Sequence, residues 1–255
     1  MARDLLTVCL PPTPPGEVAA ALDTVMARYS YDFEAQPGGP AWQGEWDSWH
    51  VYGGYDGDGF AVSPVHEADP RLIFDPALPS GTPRERTPSR WDGGPRELLD
   101  FAAARAPVAA RAAERLRRWQ EFAARHPAAL TLETFVERAR RDPAGYPLAQ
   151  ARADYFAQPL IAAADTSPEV CGLFPRFVDP LDHFRGGPGE FVRRESARVV
   201  PTNHLLTLDG RWVDGTVEDW GARLDGRTGD YYAFADDYLE NLPGECLVIR
   251  LRFHF

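Results

Sequence analysis

The chain has 255 residues, 44% of them hydrophobic and 25% charged, with a formal net charge of -11. That is an ordinary globular composition, long enough to bury a core in one large domain or two small ones, and too acidic for a general nucleic-acid binder, which needs a basic surface. No run of eighteen apolar residues supplies a transmembrane helix, and "MARDLLTVCLPP" is too short an apolar stretch for a signal peptide, so a cytoplasmic protein is the default expectation.

Leu5 to Leu10 reads as a short buried strand, ended by a proline cluster that cannot continue a ladder. Glu17 starts a helix with Val18, Ala21, Leu22, Val25 and Met26 on one face. The stretch "WHVYGGYDGDGFAV" begins at Trp49 as an alternating strand and then fills with glycine and aspartate. A calcium loop built on Asp56 and Asp58 would need stacked repeats or a downstream bidentate glutamate. A phosphate cradle would need a helix after the glycines. Asp-Gly pairs instead suit a hairpin that requires positive φ, and the stretch reads as a turn.

Residues 63 to 95, rich in proline, glycine and arginine, read as loop. In the following helical segment Pro107 fits the first residue of a new turn or a kink. Val108, Ala112, Leu116, Trp119 and Ala123 form its apolar stripe. Thr131 caps a further helix that carries Leu132, Phe135, Val136 and Ala139 on one side, and another spans Leu148 to Phe156. Near the C-terminus "NHLLTLDGRWVDG" reads as strand, Asp-Gly turn and return. A helix follows with Tyr231, Phe234, Tyr238 and Leu242 near helical spacing. The chain closes on an alternating strand: Leu247, Ile249, Leu251, Phe253 and Phe255 point one way, Val248, Arg250, Arg252 and His254 the other.

Two strand–helix–strand units therefore bracket the chain. The expected fold is α+β: a ferredoxin-like (split βαβ) sheet, mainly antiparallel, with both helices on one face and a large helical insertion. Residues 1–62 and 200–255 form the expected sheet core; 63–199 form the insertion, loop-rich and then helical.

At "WHVYGGYDGDGF", "LLTLDGRWVDGTVEDWG" and the terminal "FHF" the chain resembles a family of uncharacterised actinobacterial and actinophage proteins. Trp49, His50, Gly53 and Gly54 match its Trp–aromatic–x-x–Gly-Gly segment. Asp209, Gly210, Trp212, Trp220 and Gly221 match its Asp-Gly-x-Trp strand with a downstream Trp-Gly, and His254 matches its C-terminal strand ending in His. The sequence departs from the family pattern at Tyr55, where arginine is usual, and at Arg252, where an acid is usual. The resemblance implies no known activity.

Catalytic signatures are sparse. All 27 basic residues are arginine, which removes Schiff-base and pyridoxal-lysine chemistry and the Walker A lysine. Cys9, Cys171 and Cys246 are too scattered for a zinc ribbon or a disulfide framework. The six histidines lack H-x-x-x-H spacing, so no metal site is encoded, and no nucleotide fingerprint or G-x-S-x-G elbow implies a cofactor or a serine nucleophile. His50, His204 and His254 lie on three predicted strands and converge only if they share a face. Arg250, Arg252 and His254 would present cations to an anionic ligand on an open sheet, or pair with carboxylates if covered. Between Leu205 and Glu245 there are ten acids against three arginines. Asp214, Glu218, Asp219, Asp236 and Asp237 there are candidates for docking a basic protein partner.

The expected function is a non-catalytic binding or protein-interaction protein of phage or mobile-element type. The alternative is a small hydrolase or nuclease using histidine and carboxylates, with or without a metal.

Overall fold

The computed structural model describes residues 3–32, 44–52, 59–176, 178–215 and 231–255. The predicted turn at 53–58, with Asp56 and Asp58, lies outside the described residues. So do Glu218, Asp219, Trp220 and Gly221.

The chain divides into two compact units, Met1–Ala106 with Ala197–Phe255, and Pro107–Ser196. The first holds a mixed sheet built on β1 (Arg3–Leu10), β2 (Ser48–Val51), β5 (Gly93–Pro95), β6 (His204–Leu206), β7 (Trp212–Asp214) and β8 (Leu247–His254). A separate two-stranded ladder joins β3 (Phe60–Ala61) to β4 (Arg90–Trp91). The order across the main sheet is β2-β8-β1-β6-β7. β5 pairs with β8 beside its N-terminal half and β2 pairs with β8 beside its C-terminal half, so both use one edge of the last strand. The four strands predicted from alternation thus share one sheet, and every pairing in it is antiparallel except β1 with β6.

Two features differ from the ferredoxin-like expectation. β1 and β2 do run parallel with β8 between them, joined through helix α1 (Val18–Ala27), which is one split βαβ. The second unit is unequal to it. β6 is parallel to its neighbour β1, so it runs opposite to β8, and the sheet turns back through β7 before α8 (Tyr231–Glu240). The helices also lie on opposite faces. Val18, Leu22 and Met26 of α1 pack with Leu6, Val8, Leu206, Ile249, Leu251 and Phe253. Tyr231, Ala235 and Leu239 of α8 pack with Cys9, Leu205, Val213 and Val248. The reason is legible in β8: Val248, on the arginine side, is as buried as Ile249, so that half of the strand needs apolar cover on both faces. Phe255, expected in the core, is 48% exposed.

The expected core boundary at residue 62 also moves. Leu72, Leu98, Leu99 and Phe101 enter the α8-side core, which holds residues 63–106 with the sheet. Helix α2 (Phe101–Ala123) runs through Pro107 without interruption, and the division between the units falls inside it.

In the second unit Ala112, Leu116, Trp119 and Phe122 of α2 meet Leu160, Val170, Leu173, Phe184 and Phe191. Trp119 stacks on Phe184 with ring centroids 5.1 Å apart. The Thr131 side chain accepts from the Thr134 N–H at the start of α3 (Leu132–Arg141), as its sequence position predicts. Helices α4 (Leu148–Phe156), α5 (Pro159–Thr166), α6 (Pro180–His183) and α7 (Pro188–Ser196) complete the unit. No helix among the described residues is long and apolar enough to cross a membrane.

Candidate anion site on the sheet

Register decides which of the candidate residues meet. On β8, Arg252 stands opposite Leu5 of β1 and His50 of β2; His254 stands opposite Arg3 and Ser48. Residues directly opposite on neighbouring strands share a face. Arg3, His50, Arg252 and His254 therefore share the sheet face opposite α1, at the end formed by the last residues of β8. Four of the chain's cationic or imidazole side chains come together on a protein of net charge -11. None of them is buried: Arg3 is exposed, and His50, Arg252 and His254 are half-buried.

Tyr52 and the segment around Arg84 form the adjoining wall. The Arg252 guanidinium carbon lies 5.4 Å from the centroid of the Tyr52 ring, and that of Arg84 lies 4.5 Å from it. The Tyr52 N–H donates to the Arg250 carbonyl at 3.0 Å, which extends the β2–β8 ladder and fixes the ring. Arg84 is held by two bonds to the Asp92 carboxylate, at 3.0 and 2.9 Å, and Asp92 is 2% exposed. The Arg84 charge is therefore committed. Arg252 leans on the aromatic face of Tyr52, a contact that orients the guanidinium.

His50 packs against Tyr52 with ring centroids 5.8 Å apart. Burial pushes its pKa below the ordinary imidazole value; the nearby Arg252, Arg84 and Arg3 charges push the same way, and among the described residues Asp75 opposes them. Its Nε2 is buried with no hydrogen-bond partner among the described residues. At the rim, His254 Nδ1 is 2.6 Å from both oxygens of Asp47. That contact holds the Asp47 carboxyl below the usual carboxylate range.

Arg250 and His204 do not belong to this group. Arg250 shares the face but is 7% exposed: it lies over the Phe60 ring at 4.4 Å and donates to the Val200 carbonyl at 2.8 Å. It is a structural cation beneath β3. His204 is on the α1 face, where it meets Trp212 and Phe253 at ring-centroid distances of 5.8 and 5.0 Å. Its Nε2 is 3.3 Å from Asp4 and its Nδ1 is 3.4 Å from Asp214. These are close contacts whose angles fall short of good hydrogen bonds. Burial tends to raise the Asp4 pKa, but the contact with His204 and the bonds from Asn203 and the Leu5 N–H outweigh it and hold the carboxyl below its ordinary value. Asn203 Nδ2 reaches Asp4 at 3.0 Å, and the Tyr232 hydroxyl donates to Asn203 Oδ1 at 2.8 Å.

The acidic docking set is dispersed. Asp214 faces His204. Asp236 pairs with Arg105 at 2.6 Å, and burial raises its pKa despite that arginine. Asp237 alone of the described members is exposed. Among the described residues, no group of three or more His, Cys, Asp or Glu side chains is placed to hold a metal ion.

Arg3 and Asp4 escape the sequence reading, because both precede the apolar run and fall outside the predicted strand. Extending the alternation two residues toward the N-terminus puts Arg3 on the face of Leu5, Thr7 and Cys9, and that signal is present in the chain. No protein-family model, curated protein or solved structure matches the chain.

Proposed function

We propose that this is a non-catalytic binding protein that holds a small anionic ligand on the cationic end of its sheet, through Arg3, His50, Arg252 and His254. The register that sets Arg252 opposite His50 and His254 opposite Arg3 carries the reading. Charge-assisted bonds to such a ligand contribute about 1.5–3 kcal/mol each. Long polyanions are disfavoured because the net charge of -11 repels them beyond the patch, whereas a small anion sees mainly the charges within a Debye length of roughly 8–10 Å. A phage or mobile-element setting rests on the family resemblance alone.

The hydrolase or nuclease alternative would draw on Asp4, His204 and Asp214. The geometry weighs against it, because His204 is 5% exposed and both its ring nitrogens face carboxylates of the fold.

Equilibrium dialysis against radiolabelled inorganic phosphate at low ionic strength tests the proposal. Saturable binding at one site is expected, weakened about tenfold or more by Arg252→Ala and by Arg3→Ala and unchanged by Asp237→Ala. Absence of saturable binding, or equal binding by all the variants, would refute it.

A further inference from the structure

One helix of the second unit has an outer face unlike those of its neighbours. We infer that this face, on α4, is a docking surface for an acidic amphipathic helix of a partner protein. The surface is separate from the anion site on the sheet and does not depend on it.

α4 buries Ala151 and Tyr155 and leaves Leu148, Ala149, Arg152, Ala153 and Phe156 outside. Residues four apart lie above one another on a helix. Leu148, Arg152 and Phe156 therefore form one row, with Ala149 and Ala153 in a second row beside it. Leu148 is 45% exposed and Phe156 57%. Just beyond the helix, the Gln158 amide accepts from the Leu130 N–H at 2.7 Å and donates to the Leu130 carbonyl at 2.9 Å. Those bonds bring Leu130, 56% exposed, to the Phe156 end of α4. Single exposed apolar side chains are ordinary, whereas a row of them on one helix marks an interaction surface. The neighbouring helices are built differently. On α2, Arg117 pairs with both Glu114 and Glu121; on α3, Arg140 pairs with Glu133 and Arg141 with Glu137. Those outer faces hold charges closed on themselves, which suits contact with water. The α4 row holds one charge, and the Arg152 guanidinium has no carboxylate partner among the described residues.

The row dictates the chemistry of its occupant, which must cover two apolar ends and meet a cation between them. Leu148 and Phe156 are eight residues apart, about 12 Å along the axis. A partner helix laid along α4 reproduces that spacing with an apolar residue, a carboxylate four residues on and an apolar residue four further. The two alanines let the axes approach to about 8–10 Å. A second copy of the chain fits less well. Pairing α4 with itself about a twofold axis sets Leu148 against Phe156 but Arg152 against Arg152. An anionic membrane also fits less well, because attraction to it grows with the number of basic residues near its surface. Within Pro107–Ser196, 13 arginines are balanced by 12 acids.

A displayed library of helical peptides, selected on the full chain and on its Arg152→Glu variant, tests the pairing. Wild type should enrich peptides with Asp or Glu flanked four residues away on both sides by apolar residues. Arg152→Glu should enrich Lys or Arg at that central position instead. By fluorescence anisotropy, an enriched acidic peptide should bind Arg152→Glu about tenfold more weakly than wild type. It should also lose affinity for Phe156→Ser and keep it for Arg117→Ala on α2. The same peptides emerging from both selections, or no peptide sensitive to either α4 substitution, would overturn the inference. So would a wild-type dimer in sedimentation velocity that Phe156→Ser dissociates, since a second copy then covers the face. Cosedimentation with mixed phosphatidylcholine–phosphatidylserine vesicles, lost in Phe156→Ser, would overturn it in favour of a membrane. If Phe156→Ser does not fold, the charge reversal at Arg152 decides alone.

Discussion

His204 stands between Asp4 and Asp214 with both ring nitrogens turned toward oxygen, and it is 5% exposed. Removing it leaves two partly buried carboxylates facing a void beside Trp212 and Phe253. His204→Ala is expected to cost about 1–3 kcal/mol, at the lower end because both carboxylates retain some water. Asp4 carries a sharper expectation. Its folded pKa lies below the ordinary value, so its stabilising contribution is complete above the unfolded value of about 3.9 and disappears as pH falls through the folded value. Thermal melts of wild type and Asp4→Asn should therefore differ at pH 6 and converge toward pH 2. A constant gap across that range would show that the carboxylate charge contributes nothing. At this scale the sequence displays the histidines and arginines but not their partners. Asp4 lies about two hundred residues from His204, and only the parallel register of β1 with β6, which alternation does not encode, brings them together.

β8 organises the elements. It pairs with β1 along its whole length and with β2 and β5 along the other edge. Its alternation makes it legible as a strand, and the helices α1 and α3 are equally legible from their apolar spacing, α3 also from its Thr131 cap. Val248 is the signal that alternation alone passes over: an apolar residue among Arg250, Arg252 and His254 marks the half of the strand covered on both faces. β5 is invisible in the sequence because Gly93-Gly94-Pro95 opposes strand formation, and tertiary pairing alone makes it extended. That pairing explains the glycine. A Cβ at position 93 would lie 2.6 Å from the Val248 carbonyl oxygen and 2.8 Å from the Ile249 Cα, both backbone atoms. Gly93→Ala should destabilise by about 1–3 kcal/mol as β5 is forced from β8, and Leu251→Ala by about 2–5 kcal/mol. Deleting Phe255 should stay within about 0.5 kcal/mol. Urea unfolding monitored by circular dichroism checks all three. A neutral Gly93→Ala would show that β5 does not need close approach to β8.

For the whole molecule, composition carries the globular balance of apolar and charged residues, and the pattern of strands and helices carries the α+β class. The division into two units is not legible, because it falls within the single helix Phe101–Ala123. Net charge is informative in an indirect way. On a chain of -11, a local group of Arg3, His50, Arg252 and His254 stands out against its own background. The most direct measurement is a sulfate titration followed by NMR of assigned imidazole and guanidinium side chains. The signals of Arg3, His50, Arg252 and His254 should shift together and saturate with one dissociation constant, while His204, on the opposite face, stays in place. Shifts centred on His204, or no saturable shift in any of the four, would contradict a cationic binding site at this end of the sheet.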